Sequence, residues 1–136
     1  MKIYQKYIDE LKNHLLKLDE SRFVAQQLLR LHQVVKSKVD PIILELGVDR
    51  GQSTKVFLNA IAEKSNAKLI SIDIKNCNNA ADAERWEFVQ QDSSDIKSLL
   101  IAKPIIKKGI DILYIDSLHT AKHVQKEIYN FFEYLN

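Results

Sequence analysis

Apolar positions in the first forty residues recur at three- and four-residue steps. Tyr4, Ile8, Leu11, Leu15 and Leu18 draw one such stripe, which marks an amphipathic helix and predicts one over residues 2–18. In "DESRF", Asp19 and Ser21 are oxygen-bearing side chains suited to the free amides that open a helix. Phe23, Leu28, Leu31 and Val35 carry a second stripe to about residue 38, and Pro41 closes this helical pair.

Beyond Pro41 the pattern changes to short apolar runs: "PIILEL" (41–46), "KLISIDI" (68–74), "WEFVQ" (86–90) and "DILYID" (111–116). Runs this continuous and rich in isoleucine suit strands buried on both faces of a parallel sheet. Helical patterns lie between them. "STKVFLNAIAEK" and "SSDIKSLLIAK" each open on Ser/Thr residues read as caps, and "TAKHVQKEIYNFFEYL" sets Val124, Ile128, Phe131, Phe132 and Leu135 on one face. The polar stretch "KNCNNAADAER" is read as a loop or short helix. Two helices followed by alternating strands and helices imply an open α/β sheet with right-handed crossovers.

A chain of 136 residues fits one domain. It divides into a helical pair (1–38) and an α/β half (41–136). The net charge of +2 gives no basic surface for nucleic acid or an anionic membrane. The mixed charges of "MKIYQKYIDELKNHLL" make no secretory signal, and no run approaches a membrane span, so a cytoplasmic protein is expected. Cys77 is the only cysteine and is read as a reduced loop thiol, without disulfide or zinc partner.

Two of the three glycines, Gly47 and Gly51, fall in one turn after the first strand. Glycine is the residue for positive φ and for close approach of backbone to a ligand, and the first βα turn is where open parallel sheets bind. The amides of this turn and of the following helix would suit an anion. "ELGVDRGQS" is not a dinucleotide fingerprint, since Asp49 occupies the slot of its second glycine. It is not a P-loop either, being one residue short and carrying Gln52 in place of lysine. A single carboxylate on a cationic ligand, such as the methionine end of S-adenosylmethionine, needs fewer donors and tolerates acidic neighbours.

"ILELGVDRGQST", "LISIDI", "WEFVQQDSSDI" and "DILYIDSLHTAKHVQKEI", taken together, resemble the class I S-adenosylmethionine-dependent methyltransferases. Within them the chain is most similar to the small-molecule O-methyltransferases of the macrocin and cephalosporin-hydroxylase-like branch, over about residues 41–131. The resemblance implies a Rossmann-like open parallel sheet of about four strands in the order 3-2-1-4, flanked by helices, with two extra N-terminal helices. It implies S-adenosylmethionine as cofactor and a small hydroxylated acceptor. Glu45, Gly47, Gly51 and Ser53 match the loop holding the methionine part, with Glu45 near its ammonium group. Asp73 matches the acid that accepts from the ribose hydroxyls, and Asp92 and Ser93 match the pair at the adenine edge. Asp116 and His119 match residues facing the transferred methyl, as metal ligand or general base; metal use is left open.

Each residue has a plainer alternative: an aspartate at a strand end also serves as a helix cap or turn former, and His119 could cap the last helix. His14, His32 and His123 read as surface, Trp86 as packing, and the lysines of "KPIIKKG" as a solvated turn. Two features depart from the family, Asp49 in the loop and a chain that stops after the helix following the fourth strand, without the family's later strands. An interior-type strand left at an edge should be covered, and a homodimer through the fourth-strand edge and the last helix is expected. The alternatives are an inactive methyltransferase-like module working through oligomerisation or a protein partner, and a fragment of a larger methyltransferase.

Overall fold

The four apolar runs form strands, and all of them run parallel. In a computed structural model describing residues 2–116 and 121–136, β1 (Ile42–Leu46), β2 (Lys68–Asp73), β3 (Trp86–Gln90) and β4 (Ile112–Ile115) build one sheet in the order β3-β2-β1-β4. This is the order the resemblance implies. The register sets Glu45 beside Ser71 on one side and Tyr114 on the other, and Leu69 beside Trp86.

Strand pleating sorts the side chains into two cores. Ile43 and Leu69 face a layer holding Phe57, Leu58 and Ile61 of α3 (Gln52–Ile61) and Val35 of α2 (Glu20–Lys36). Leu44, Leu46, Ile70 and Ile72 face the opposite layer, with Leu99 of α4 (Ile96–Ala102) and Phe131 of α5 (Ala121–Phe131). The N-terminal helix α1 (Gln5–His14) completes a third cluster, in which Ile8 and Leu11 meet Ala25, Leu28 and Val56. Among the described residues no helix is long and apolar enough to cross a membrane.

Several sequence expectations change. The helix expected over 2–18 is shorter, because Tyr4 is left-handed (φ 57°) and the chain past His14 closes in three-residue turns. Leu16 and Leu18 lie exposed there, with no apolar surface to hold another helical turn. Asp19 does cap α2, through the Ser21 amide. Ser53 and Thr54 are not caps: Gly51, left-handed at φ 80°, precedes α3, and both hydroxyls turn inward. Asp95, not Ser93 or Ser94, caps α4 by accepting from the Ser98 amide. The "KPIIKKG" segment is a 3-10 turn, Pro104–Lys108, that buries Ile106, and Lys103 pairs with Glu87.

The last helix is rotated relative to the expected face. Phe131 and Glu127 are fully buried, whereas Ile128, Tyr129 and Phe132 are exposed. Just before β4 the chain pairs with its own C-terminal segment. Leu135 makes a parallel bridge with Ile110, with Ile110 N–H donating to Tyr134 O (2.6 Å) and Asn136 N–H to Ile110 O (2.9 Å).

Candidate functional site

Because the strands are parallel, their carboxyl ends open at one end of the sheet, and the strand order reverses between β1 and β4. A pocket of about 500 Å³ lies there. Among the sequence-derived candidates, Gly47, Asp73, Asp92, Ser93 and Asp116 all line it, joined by Asp49 and His123. Four of these side chains are carboxylates, and they come from the first turn and from the ends of β2, β3 and β4.

The loop amides do bind an anion, but it is one of the chain's own. Asp73 Oδ2 accepts from Val48 N–H (2.9 Å) and Asp49 N–H (3.2 Å), and Oδ1 accepts from Lys75 N–H (2.9 Å). Burial opposes the charge on Asp73, but the amides of Lys75, Val48 and Asp49 and the Cys77 thiol outweigh it and hold the carboxyl below its usual range. The same neighbourhood pushes Cys77 upward, first by burial and then by the Asp73 charge. The turn itself needs glycine: Gly47 has φ 99°, and a Cβ on Gly51 would lie 2.9 Å from Ala80 O.

Glu45, expected near a ligand ammonium, is instead enclosed beneath this turn. It is fully buried, and Thr54 Oγ1 and Ser71 Oγ each donate to Oε1 at 2.7 Å while Ser53 Oγ donates to Oε2. Trp86 Nε1 in turn donates to Ser71 Oγ (2.9 Å), so the packing role read for Trp86 includes a polar contact. Burial drives the Glu45 carboxyl up to about 7 despite the three hydroxyls, with the Asp116 charge adding to the rise. Tyr114, beside Glu45 in the register, is raised to about 12 by burial and by Asp116 and Glu45. Gly51 and Ser53 thus shape the pocket from behind, without lining it.

At the β3 end, Asp92 Oδ1 accepts from both the amide and the hydroxyl of Ser94 (2.8 Å each), which lowers its carboxyl. Ser93 is nearly buried and joins α5: its hydroxyl lies 2.5 Å from Glu127 Oε2 and 3.2 Å from His123 Nε2. Asn130 Nδ2 donates to Ser94 O (3.1 Å), a third tie between α5 and this loop. Asp116 continues the β1 pairing through its amide, which donates to Leu46 O (2.8 Å). His119 lies outside the described residues.

The histidines read as surface are half-buried. His32 Nε2 is 2.7 Å from Asn59 Oδ1, the His14 Nδ1 atom is buried without a partner among the described residues, and His123 lines the pocket. Glu127 and His123 were missed for lack of a motif. The available signal was a charge at the helical step between Val124 and Phe131, with a histidine four residues before it. Among the described residues no group of three or more His, Cys, Asp or Glu side chains could hold a metal ion.

An open parallel sheet in this order, with a glycine-bearing first turn and acids at successive strand ends, is a Rossmann-like α/β fold. The chain belongs to the methyltransferase-domain family, whose profile matches residues 44–136. No curated protein sequence matches it. Among solved structures it is similar to the MycE methyltransferase of the mycinamycin biosynthetic pathway in complex with Mg and S-adenosylhomocysteine (19% identity, TM-score 0.66), covering 95% of this chain and 34% of that one. It is also similar to apo CalS11, a TDP-rhamnose 3'-O-methyltransferase of calicheamicin biosynthesis (20% identity, TM-score 0.63), covering 94% of this chain and 65% of that one. The chain therefore spans about a third of MycE and under two thirds of CalS11.

Proposed function

We propose that this domain binds S-adenosylmethionine at the strand-end pocket and transfers its methyl group to a hydroxyl of a small acceptor. The observation that carries the reading is the convergence of Asp49, Asp73, Asp92 and Asp116 on one pocket. Four carboxylates in the lining, alongside Lys75, Gln91 and His123, fit a ligand whose ammonium, ribose hydroxyls and exocyclic amine all donate, and whose sulfonium is positive. When bound, that group supplies an electrophilic methyl.

In this reading Asp73 faces the ribose. Three amides and the Cys77 thiol already occupy its four lone-pair directions. The thiol is the weakest of these donors and is the partner a ribose hydroxyl would replace. Asp92 and Ser93 face the adenine. The Gly47–Gly51 turn faces the methionine part, with Glu45 and Ser53 bracing it. Asp116, aided by His119, receives the proton that the acceptor hydroxyl loses. Complexes of MycE with mycinamycin VI and the activity named for CalS11 support a hydroxylated small molecule as acceptor.

A second reading, a module that works by association, is favoured by the exposed Ile128, Tyr129 and Phe132 at the end of the chain; a homodimer through this face is our proposal for it. A cytoplasmic setting accords with the single thiol. Incubation with methyl-labelled S-adenosylmethionine and a panel of sugars and hydroxylated macrolides separates the readings. Label in an acceptor is the expected result, binding without transfer favours the association module, and absence of binding contradicts the cofactor reading.

A further inference from the structure

The side chains behind Ser93 restrict what its hydroxyl can offer a ligand. A serine hydroxyl has one proton and two lone pairs. The hydroxyl donates to Glu127 Oε2 at 2.5 Å, so that proton is committed to Glu127. His123 Nε2 lies 3.2 Å from Ser93 Oγ and 3.5 Å from Glu127 Oε2, faces lone pairs on both, and carries the hydrogen itself. The polar sequence runs in one direction, from His123 Nε2–H to Ser93 Oγ–H to Glu127. Glu127 is fully buried on α5, and the tie between Asn130 and Ser94 O holds that helix to the same loop, so the direction is built into the packing.

We propose that Glu127, acting through Ser93, is a positioning residue that makes this end of the pocket an acceptor-only surface, selecting an amino-purine and rejecting an oxo-purine. Ser93 presents its remaining lone pair to the pocket. Beside it, Asp92 spends Oδ1 on Ser94 and also offers only acceptor oxygen. A 6-amino group donates to both, whereas a 6-oxo group sets its own lone pairs against them, and at the nearly buried Ser93 such a mismatch costs more than a lost contact. The inference rests on the cofactor reading above and deepens it by naming which residues choose the base.

The test compares binding of S-adenosylhomocysteine and its deaminated analogue, S-inosylhomocysteine, by calorimetry. Wild type is expected to prefer the adenosyl compound at least tenfold. Glu127→Gln can donate an amide hydrogen to Ser93 Oγ and release its proton toward the pocket, so the preference should fall to threefold or less. Ser93→Ala, which removes the oriented hydroxyl while keeping Glu127 itself, should also reduce it. A purely structural role for Glu127 would weaken both compounds equally, and an unchanged ratio in both variants overturns the proposal. Equal affinity of wild type for the two compounds overturns it as well, while leaving the cofactor reading intact. Binding of neither compound to folded wild type contradicts both.

Discussion

Asp73 Oδ2 takes the Asp49 amide at 3.2 Å while the Asp49 side chain lines the same pocket. The end of β2 therefore anchors the turn after β1, and Asp49 keeps its left-handed backbone (φ 51°) under that hold. One carboxylate organises the loop and, in the proposed function, reads the ligand.

Asp73→Ala should separate those roles from simple folding. Exchange of the Val48 and Asp49 amides, followed by hydrogen-exchange NMR, is expected to accelerate at least tenfold, with loss of ligand binding. Asp73→Asn, which keeps an acceptor, should preserve more of the amide protection than of the binding. Cys77→Ala should leave binding unchanged or improve it by a few fold, because it vacates a lone pair on Asp73.

Glu45 gives a pH signature. Its carboxyl is raised in the folded protein, from about 4.5 to about 7, so the fold holds a proton that the unfolded chain releases. Its contribution to stability is complete below the unfolded value and is lost as pH rises through the folded one, amounting to about 3 kcal/mol across that window. Urea unfolding between pH 4.5 and 7.5 should show stability falling with pH, and Glu45→Gln should flatten that slope. Glu45→Ala leaves three buried hydroxyls without their acceptor and should cost about 2–4 kcal/mol at pH 6.

Gly51→Ala tests the turn. A methyl group there meets Ala80 O in a backbone conformation that L residues rarely adopt. A loss of about 1–3 kcal/mol is expected in thermal unfolding, together with weakened ligand binding from a displaced loop.

The exposed face of α5 predicts self-association. Light scattering of the wild type at micromolar concentration should give twice the chain mass, and Tyr129→Asp with Phe132→Asp should return the monomer. Monomeric wild type would remove the homodimer proposal.

The sheet was legible because burial on both faces leaves an unambiguous mark in sequence: four continuous apolar runs became four parallel strands within a residue or two. Asp73, Asp92 and Asp116 were legible as well, since each ends or follows such a run. What periodicity could not reveal was direction. Ser53 and Thr54 read as caps from their place before a helix, yet Gly51 takes the turn and frees both hydroxyls for Glu45. Likewise the apolar residues of α5 outnumber what one face can bury, and only packing decides that Phe131 goes in with Glu127 while Phe132 stays out. Ser93 meets His123 and Glu127 across thirty and more residues, so the spacing of those two along α5 does not reveal their partner.

The most direct test of the central claim is calorimetric titration of the folded chain with S-adenosylhomocysteine, with Asp73→Ala alongside. The account predicts saturable binding in the micromolar range that disappears in the variant. No binding by the wild type, or equal binding by both proteins, would contradict it.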